Sequence, residues 1–213
     1  MADLDLANLR RQYAQGALEE GSAPSDPFIL LRRWLEEAVA AQMIEPNAFL
    51  LATVDKEGQP HARVLLLKGF EPPFLYFYTN YESAKAQEMA DNSRVAATFW
   101  WDVLERQVRI EGRVEKAPTD ISDAYFASRP YESQIGAWAS PQSQPINKET
   151  LTRRWEEYAR RYPEKPVPRP PYWGGYRLLP HRIEFWQGRP SRLHDRLVYI
   201  RRGEIWEKLR LAP

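Results

Sequence analysis

The densest set of groups that could do chemistry lies near the carboxyl end, where residues 192–196 read RLHDR. An extended backbone would place Arg192, His194 and Arg196 on one face, because alternate residues of a strand point the same way. Three cations on one face resist close packing unless anions or water receive them. The alternative is a solvent-exposed edge strand whose aspartate is a local partner. Trp186, just upstream, favours a site, because its ring can cover a planar ligand.

Two further groups of cations lie nearer the amino end. Arg63 and Lys68 flank an apolar run, and their opposite parity points them to opposite faces of a regular strand. Both would reach one ligand only through a bulge or across a subunit boundary; otherwise they are strand-end charges that extend into solvent. Thr79 and Lys85 bracket a predicted strand-to-helix junction, where a helix start favours an anion. Ordinary helix capping by the polar residues between them is the alternative.

Several common catalytic and phosphate-binding motifs do not occur in the sequence. There is no G-x-G-x-x-G, no G-x-x-x-x-G-K-[ST] and no G-x-S-x-G. The chain has no Cys, and its 3 His are far apart with no H-E-x-x-H, so we expect no metal site. If the protein handles phosphates, side-chain cations must hold them.

Composition narrows the class of protein. The chain has 213 residues and a formal net charge of +1, which argues against nucleic-acid binding. No apolar stretch approaches the ~18 residues of a membrane span. The acidic start is not followed by an apolar segment of the kind found in secretory signals, so we expect a cytoplasmic protein without a membrane partner. The 8 Trp, 11 Tyr and 8 Phe are typical of a planar-ligand pocket or an oligomer interface, although core packing also uses such rings.

The periodicity of apolar residues predicts the elements. Helical spacing is seen in two stripes: Leu6, Leu9 and Tyr13 in the first twenty residues, and Phe28, Leu31, Leu35 and Val39 after a cap at Asp26. Further helices are predicted at 83–89, 119–128 and 148–162. Strands are predicted at 48–54, 60–67, 74–78, 95–101, 106–115, 175–179, 182–186, 197–200 and 204–209. Hairpin connections without regular βαβ alternation predict an antiparallel barrel with peripheral helices. We expect an N-terminal helical flap over residues 1–24 and one domain over 25–213.

A set of short motifs in a fixed order resembles the pyridoxamine 5′-phosphate oxidase family. The matching pieces span the whole chain, and their order and spacing make the resemblance specific. They are Arg10-Arg11-Gln12-Tyr13, 52–60, Arg63 to Lys68, Phe77-Tyr78-Thr79-Asn80, Leu104-Glu105-Arg106-Gln107, 125–130, Ser133-Gln134-Ile135-Gly136-Ala137-Trp138, Gln142-Ser143, Trp173-Gly174-Gly175, Glu184-Phe185-Trp186-Gln187-Gly188, Arg192 to Arg196 and 210–213.

The resemblance implies a mainly β, flavin mononucleotide (FMN)-binding split β-barrel and a homodimer with FMN at the subunit interface. It assigns to the cofactor Arg63, Val64, Leu65, Leu66, Leu67, Lys68, Tyr78, Thr79, Lys85, Gln107, Gln142, Ser143, Trp186 and Arg196. It assigns to the substrate Arg10, Tyr13, Lys68, Tyr125, Arg129, Ser133, Arg192, Leu193 and His194. Among these, Arg192 and His194 would lie over the substrate ring as catalytic residues, and Arg10 and Tyr13 would close over it.

The implied reaction is oxidation of pyridoxamine 5′-phosphate or pyridoxine 5′-phosphate to pyridoxal 5′-phosphate. A hydride passes from C4′ to flavin N5, and O2 accepts the electrons to give H2O2. One departure is Ala84, where the family usually has an Arg that contacts the flavin phosphate. The alternatives are another split-barrel flavin reductase and a non-catalytic carrier of flavin or pyridoxal phosphate. Arg192, His194, Tyr125, Arg129 and Ser133 argue against a reductase, which has no reason to carry them.

Overall fold

A computed structural model describes residues 5–9 and 12–213. Its helices are α1 (Pro27–Ala40), α2 (Ala84–Asp91), α3 (Thr119–Ser128), α4 (Tyr131–Ala139) and α5 (Lys148–Arg161). Its strands are β1 (Ala48–Val54), β2 (Pro60–Leu66), β3 (Gly69–Glu71), β4 (Phe74–Asn80), β5 (Arg94–Trp101), β6 (Arg106–Lys116), β7 (Trp173–Gln187), β8 (Asp195–Arg202) and β9 (Ile205–Arg210). The strands form one sheet in the order β2-β1-β5-β6-β7-β4-β3, and β8 pairs with β7 and β9.

The chain divides into two compact units. Unit 1 comprises the described residues of Met1–Asn47, Thr98–Ile110 and His181–Pro213, and unit 2 comprises Ala48–Ala97 and Glu111–Pro180. Strands β5, β6 and β7 each contribute residues to both units. The predicted division into a segment 1–24 and a domain 25–213 stays a prediction. In the described part of the chain, no helix is long and apolar enough to cross a membrane.

The sheet of unit 2 begins with the predicted hairpin, which is confirmed. β1 and β2 pair antiparallel from Ala48↔Leu66 to Val54↔Pro60. Gly58 turns the chain between them with φ +86°, a conformation that glycine adopts without steric cost. β4 pairs antiparallel with the first part of β7. The strands therefore bring the end of β2 and the end of β4 into one sheet.

Three helices of unit 2 share an aromatic core. Phe126 of α3, Ile135 of α4 and Trp173 of β7 are buried together, and several Tyr and Trp side chains of α4 and α5 pack against them. Helix α4 is not predicted by the sequence pattern, because its nine residues follow Pro130 directly and show only weak amphipathic spacing. α4 matters for function, because it carries Ser133.

Unit 1 packs α1 against its strands. The Asp26 side chain accepts a hydrogen bond from the Phe28 N–H, so the predicted cap is confirmed. Val39 of the predicted stripe is exposed, and the buried face includes Trp34 instead. Trp34 packs edge-on against Trp101 and Phe185, with centroids 6.5 and 5.2 Å away. The buried face of α1 therefore contacts the large aromatic rings of unit 1. The predicted apolar stripe alone did not indicate this orientation.

Other predictions need correction. The expected helix over the first twenty residues is wrong in the described part, where Leu6–Asn8 is a single 3-10 turn and residues 12–19 form no helix or strand. The two strands predicted at 175–179 and 182–186 are one strand, β7, which continues through Pro180. The alternation of β6 is confirmed, with Val108, Ile110 and Val114 buried.

Candidate functional site

A cavity of about 490 Å³ opens in unit 2 between the sheet and helices α3 and α4. Many of the residues assigned to cofactor or substrate line it: Val64, Leu65, Leu66, Lys68, Tyr78, Thr79, Tyr125, Arg129, Ser133 and Gln142. Asn80, Ser140 and Trp173 also line it and were not assigned. The cavity therefore gathers side chains that lie more than a hundred positions apart in the sequence, from Val64 to Trp173.

Three stacked rings form one wall of this cavity. The rings of Tyr78 and Tyr125 lie 3.8 Å apart and 18° from parallel. Trp173 is nearly parallel to both, with centroids 5.8 and 6.2 Å away. Burial raises the pKa of Tyr78 to about 12, so its hydroxyl stays protonated near neutral pH. The wall gives a rigid apolar surface. Its third ring, Trp173, could have been found from the WGG piece of the resemblance.

Arg129 lies against this wall. Its guanidinium carbon is 4.5 Å from the centroid of the Trp173 ring and 5.6 Å from that of Phe126. Its Nη1 is buried and has no hydrogen-bond partner among the described residues. Burial lowers the pKa of Arg129, while Tyr125 opposes the shift. A buried guanidinium N–H without an acceptor is costly, so Arg129 is prepared to donate to an anion.

Lys68 and Ser133 supply further donors to the cavity. Lys68 follows the end of β2, where its backbone N–H donates to the Tyr76 carbonyl over 2.9 Å. Its side chain is exposed, and no described residue accepts a hydrogen bond from its Nζ. Ser133 lies in the first turn of α4. The strand ends after Leu66, so the parity argument against a common site for Arg63 and Lys68 does not hold there.

The junction of β4 and α2 holds a second cation. Lys85 is 8% exposed, and its Nζ donates to the oxygens of Thr79 (3.2 Å), Ser83 (3.3 Å) and Gln142 (3.4 Å). Burial and the positive charge of Arg63 lower the pKa of Lys85, and Glu88 opposes them. In the described part of the chain its hydrogen-bond partners are all neutral. A buried ammonium in such surroundings is stabilised by an added anion.

Arg63 is held differently. Its Nη1 donates a short hydrogen bond to Thr53, and its Nη2 donates to the Glu88 carboxylate over 3.1 Å. Glu88 is buried and also accepts a hydrogen bond from the Thr53 hydroxyl. Arg63 does not line the cavity. It is a paired cation close to Lys85, and an anion would share it with Glu88.

Ser143 approaches the start of α2. Its Oγ accepts a hydrogen bond from the Ala84 N–H over 3.1 Å. Its φ of 73° lies in the left-handed region, which is uncommon for a residue other than glycine. Such strain persists where the surroundings enforce it, often at binding sites. Ala84 itself is exposed, so a longer side chain fits at this position.

Unit 1 holds a second group of predicted residues around the β7–β8 loop (residues 188–194). Tyr13 packs edge-on against Trp186 and His194, with both centroids 5.6 Å away. The rings of Trp186 and His194 are 4.7 Å apart. The Arg189 N–H donates to His194 Nδ1 over 3.1 Å. Burial, together with Arg192, lowers the pKa of His194, while Asp195 opposes the shift. These contacts favour a neutral imidazole with its proton on Nε2.

The expected extended face over Arg192, His194 and Arg196 is wrong. Ser191 and Arg192 have φ of 56° and 62°, and the strand begins only at Asp195. β8 pairs with strands on both sides, so the alternative of a solvent-exposed edge strand is also wrong. The turn leaves Arg192 and Leu193 exposed. A left-handed turn of two non-glycine residues gave no signal in the alternation pattern.

Arg196 lies inside a network of charges. Its Nε and Nη2 donate to one oxygen of Glu184, over 2.9 and 2.8 Å. Arg182 donates to the other oxygen over 2.7 Å, and Arg109 lies 3.7 Å from it. Burial alone would raise the pKa of Glu184, but the bonds from Arg182 and Arg196 lower it. No pattern in the sequence predicts that the Glu184 carboxylate is the partner of Arg196.

The remaining predicted residues are placed as follows. Gln107 is half-buried near the start of β6, in unit 1. Leu67 is buried in the core of unit 2 and does not line the cavity. Arg10 lies outside the described residues. Among the residues that are described, no group of three or more His, Asp or Glu could hold a metal ion.

Comparisons with known proteins identify the family. Residues 35–165 match the sequence model described as pyridoxamine 5′-phosphate oxidase, and residues 173–213 match the pyridoxine 5′-phosphate oxidase C-terminal dimerisation region. A pyridoxine/pyridoxamine 5′-phosphate oxidase of Pseudomonas paraeruginosa is 54% identical over 211 residues, with 98% of each chain covered. One of Cupriavidus taiwanensis is 55% identical over 210 residues, with 98% of this chain and 99% of the relative covered.

Solved structures agree. PhzG from Burkholderia lata, in complex with tetrahydrophenazine-1-carboxylic acid, is 31% identical with a TM-score of 0.86, covering 92% of this chain and 98% of PhzG. A pyridoxamine 5′-phosphate oxidase-related, FMN binding protein of Nostoc punctiforme is 19% identical with a TM-score of 0.73, covering 90% of this chain and 98% of its own. These likenesses confirm the predicted split β-barrel fold class. The chain therefore belongs to the pyridoxamine 5′-phosphate oxidase family.

Proposed function

We propose that this protein is an FMN-dependent oxidase that converts pyridoxamine 5′-phosphate and pyridoxine 5′-phosphate to pyridoxal 5′-phosphate. Membership of the family and the names of full-length relatives above 50% identity support the oxidase activity. The observation that carries the choice of substrate is Arg129, whose buried Nη1 has no hydrogen-bond partner among the described residues.

In this proposal Arg129, Lys68, Tyr125 and Ser133 bind the substrate phosphate. Arg129 supplies a pre-oriented guanidinium, because Trp173 and Phe126 pack against it. Lys68 supplies a mobile positive charge, and the Tyr125 and Ser133 hydroxyls add neutral donors at the same cavity. A phosphate dianion satisfies all of these donors at once, and charge-assisted hydrogen bonds are the stronger kind. A neutral ligand would leave both cations without a counter-ion.

The donor set at the β4–α2 junction fits the phosphate of FMN. Lys85 is a buried cation that donates to Thr79 and Gln142, and Ser143 accepts from the N–H of the neighbouring Ala84. Arg63 adds charge while Glu88 fixes its orientation. Bound FMN would supply the redox chemistry by accepting the hydride of substrate C4′, with O2 as the final oxidant that becomes H2O2. With the amine substrate, water would then hydrolyse the resulting imine to the aldehyde and ammonia.

The resemblance to the family assigns the substrate ring to Arg192 and His194, and we keep that assignment in this proposal. Arg192 is exposed on its turn, and no described residue pairs with its guanidinium. His194, neutral and protonated on Nε2, would donate a hydrogen bond to the substrate ring. It would not accept the proton that the substrate loses. The role of Tyr13 is to cover His194 and exclude water. Trp186, Gln107 and Arg196 would complete the flavin site.

We further propose a homodimer with FMN at the subunit interface. The match of residues 173–213 to a dimerisation region supports the dimer. Val64 of β2 is 63% exposed although it lines the cavity, and Leu50 of β1 is also exposed. Apolar side chains exposed beside a ligand cavity are typical of an interface surface. The cytoplasmic location stays a prediction.

The test is a half-reaction on purified protein loaded with FMN. Pyridoxine 5′-phosphate added without O2 should bleach the flavin absorbance, and admitted O2 should restore it with one H2O2 per pyridoxal 5′-phosphate formed. Unphosphorylated pyridoxine is the matched control and should react far more slowly. Arg129→Gln should remove most of this preference for the phosphate.

Three outcomes would overturn the proposal. Bleaching by a reduced nicotinamide cofactor alone would favour the reductase. Stable binding of flavin and pyridoxine 5′-phosphate without bleaching would favour the carrier. Oxidation of a reduced phenazine carboxylic acid, but not of the phosphorylated substrates, would point to the ligand class that PhzG holds.

A further inference from the structure

Residues 13–18, here called the strap, are held by side chains rather than by secondary structure. The N–H groups of Ala14 and Gln15 donate to one oxygen of Glu105, over 2.7 and 3.0 Å. Arg189 donates to the Gly16 carbonyl over 2.8 Å. At the far end the Leu18 N–H donates to the Asp195 carboxylate over 3.0 Å. The strap therefore has a defined path although it forms no helix or strand.

Glu105 is shaped for this contact. It is 2% exposed, and its φ of 54° places it in the left-handed region. Its backbone carbonyl accepts a hydrogen bond from the Gly188 N–H over 2.7 Å. One residue thus joins the strap, through its carboxylate, to the β7–β8 loop, through its backbone. A strained backbone and a buried carboxylate are both costly and persist where the surroundings require them.

The position of Tyr13 follows from these anchors. Tyr13 immediately precedes the two N–H groups that Glu105 holds, and its ring rests on Trp186 and His194. Gly188 makes room for it, because a Cβ at this position would lie 2.8 Å from Tyr13 Cγ. The carboxylate of Glu105 and the missing side chain of Gly188 therefore place the same ring, and a Cβ at Gly188 would also lie 3.0 Å from Glu105 Cβ.

We infer that Glu105 is a positioning residue that fixes Tyr13 over His194 by holding the backbone of Ala14 and Gln15. The inference rests on the proposed function only in that Tyr13 contacts substrate. Glu105 touches neither substrate nor flavin in this assignment. Its loss should weaken substrate binding and leave the maximal rate and the affinity for FMN nearly unchanged.

The first test needs no activity. Hydrogen exchange of the purified protein without substrate should be faster at residues 14–18 in Glu105→Gln than in the parent, with α1 unchanged. Glu115→Gln is the matched control, because Glu115 is also a carboxylate, pairs with Arg177 near the other end of β6 and is far more exposed. Equal exchange of the strap in the parent and Glu105→Gln would overturn the inference even if the protein proves not to be an oxidase.

The second test is a double-mutant cycle on steady-state kinetics. Glu105→Gln should raise KM for pyridoxamine 5′-phosphate about tenfold, since it weakens two hydrogen bonds to a charged acceptor. Tyr13→Ala should raise KM at least as much, and the double variant should be no worse than Tyr13→Ala alone. If the two increases in KM multiply in the double variant, or if kcat falls with KM unchanged, then Glu105 does not act through Tyr13.

Gly188→Ala acts on the Tyr13 ring through its new Cβ. It replaces Glu105→Gln as the test if that variant does not fold. Its Cβ would displace Tyr13, so it should raise KM and speed exchange of the strap. Normal KM in this variant, with the strap still protected, would contradict the placement of Tyr13.

Discussion

The two regions that hold the predicted site residues treat their cations in opposite ways. In unit 2, Lys85 donates to neutral oxygens, and Arg129 has a buried donor without a partner among the described residues. In unit 1, Arg196 is bound to Glu184, and Arg189 lies 3.5 Å from Asp195. The first region is built to receive anions. The second pairs these two arginines with carboxylates and leaves Arg192 exposed on its turn.

The burial of these cations explains why it matters whether each one is paired. A buried ion pair keeps its geometry because each charge would be costly alone, whereas an unpaired cation is stabilised by any anion that reaches it. Arg63 is intermediate, since it does not line the cavity described above and pairs with Glu88. Four sets of substitutions would break or sharpen this contrast between the units.

The largest expected effect is on stability, in unit 1. Glu184→Gln removes the buried carboxylate that Arg182 and Arg196 share, so it should lower the free energy of unfolding by about 3–5 kcal/mol. Urea denaturation measures it, with Glu115→Gln, an exposed paired carboxylate, as the control at about 0–1 kcal/mol. Because the folded pKa of Glu184 is lowered, its contribution is present above the unfolded value and lost as pH falls through the folded pKa. A loss of stability no larger than the control's would refute the structural role of this network.

A slightly smaller effect separates Arg192 from Arg196. Arg192→Ala should keep its flavin and lose kcat/KM by about thirtyfold to several thousandfold, as removal of a charged contact worth about 2–5 kcal/mol implies. Arg196→Ala should give pale protein whose activity partly returns with excess FMN. His194→Ala should resemble Arg192→Ala but be milder. Flavin content and kcat/KM at limiting and saturating FMN measure this; the reverse pattern would show that the two roles are exchanged.

Replacement of Lys85 in unit 2 should weaken ligand binding rather than stability, which is the reverse of the effect expected for Glu184. Lys85→Met should weaken FMN binding by about ten- to a hundredfold but leave the flavin-free protein as stable as the parent or more so, because it removes a desolvated charge. Since the pKa of Lys85 is lowered, FMN affinity should decline with rising pH before an ordinary lysine would deprotonate. Fluorescence titration of flavin over a pH series measures both. A large loss of stability without flavin would mean that Lys85 is structural.

The smallest effect concerns Ala84, exposed at the first position of α2. Ala84→Arg should tighten FMN binding by about 1 kcal/mol, or roughly fivefold, because solvent screens an exposed charge. Ala84→Met is the control for side-chain size. If Arg and Met give the same affinity, then Lys85 and Arg63 already provide all the charge that the phosphate uses.

Local patterns in the sequence predicted much of the sheet. The β1–β2 hairpin, the Asp26 cap and the alternation of β6 follow from neighbours within a few residues, and all three are confirmed. The family could also be predicted from the sequence, because a fixed order of short motifs is specific even though each motif alone is not. The strap was misread as a helix, since Leu6, Leu9 and Tyr13 have helical spacing while the partners that hold the strap lie at Glu105 and Asp195.

The sequence by itself determined which residue types would meet phosphates: Arg and Lys, since no glycine-rich loop is present. Only the tertiary structure decided which of these cations are available. Arg129 and Arg196 are both single arginines in the sequence, but Trp173 packs on the first, whose Nη1 has no partner among the described residues, whereas Glu184 binds the second. The physical reason is that the pairing of a buried charge depends on groups brought together across the sheet, and no local pattern records them.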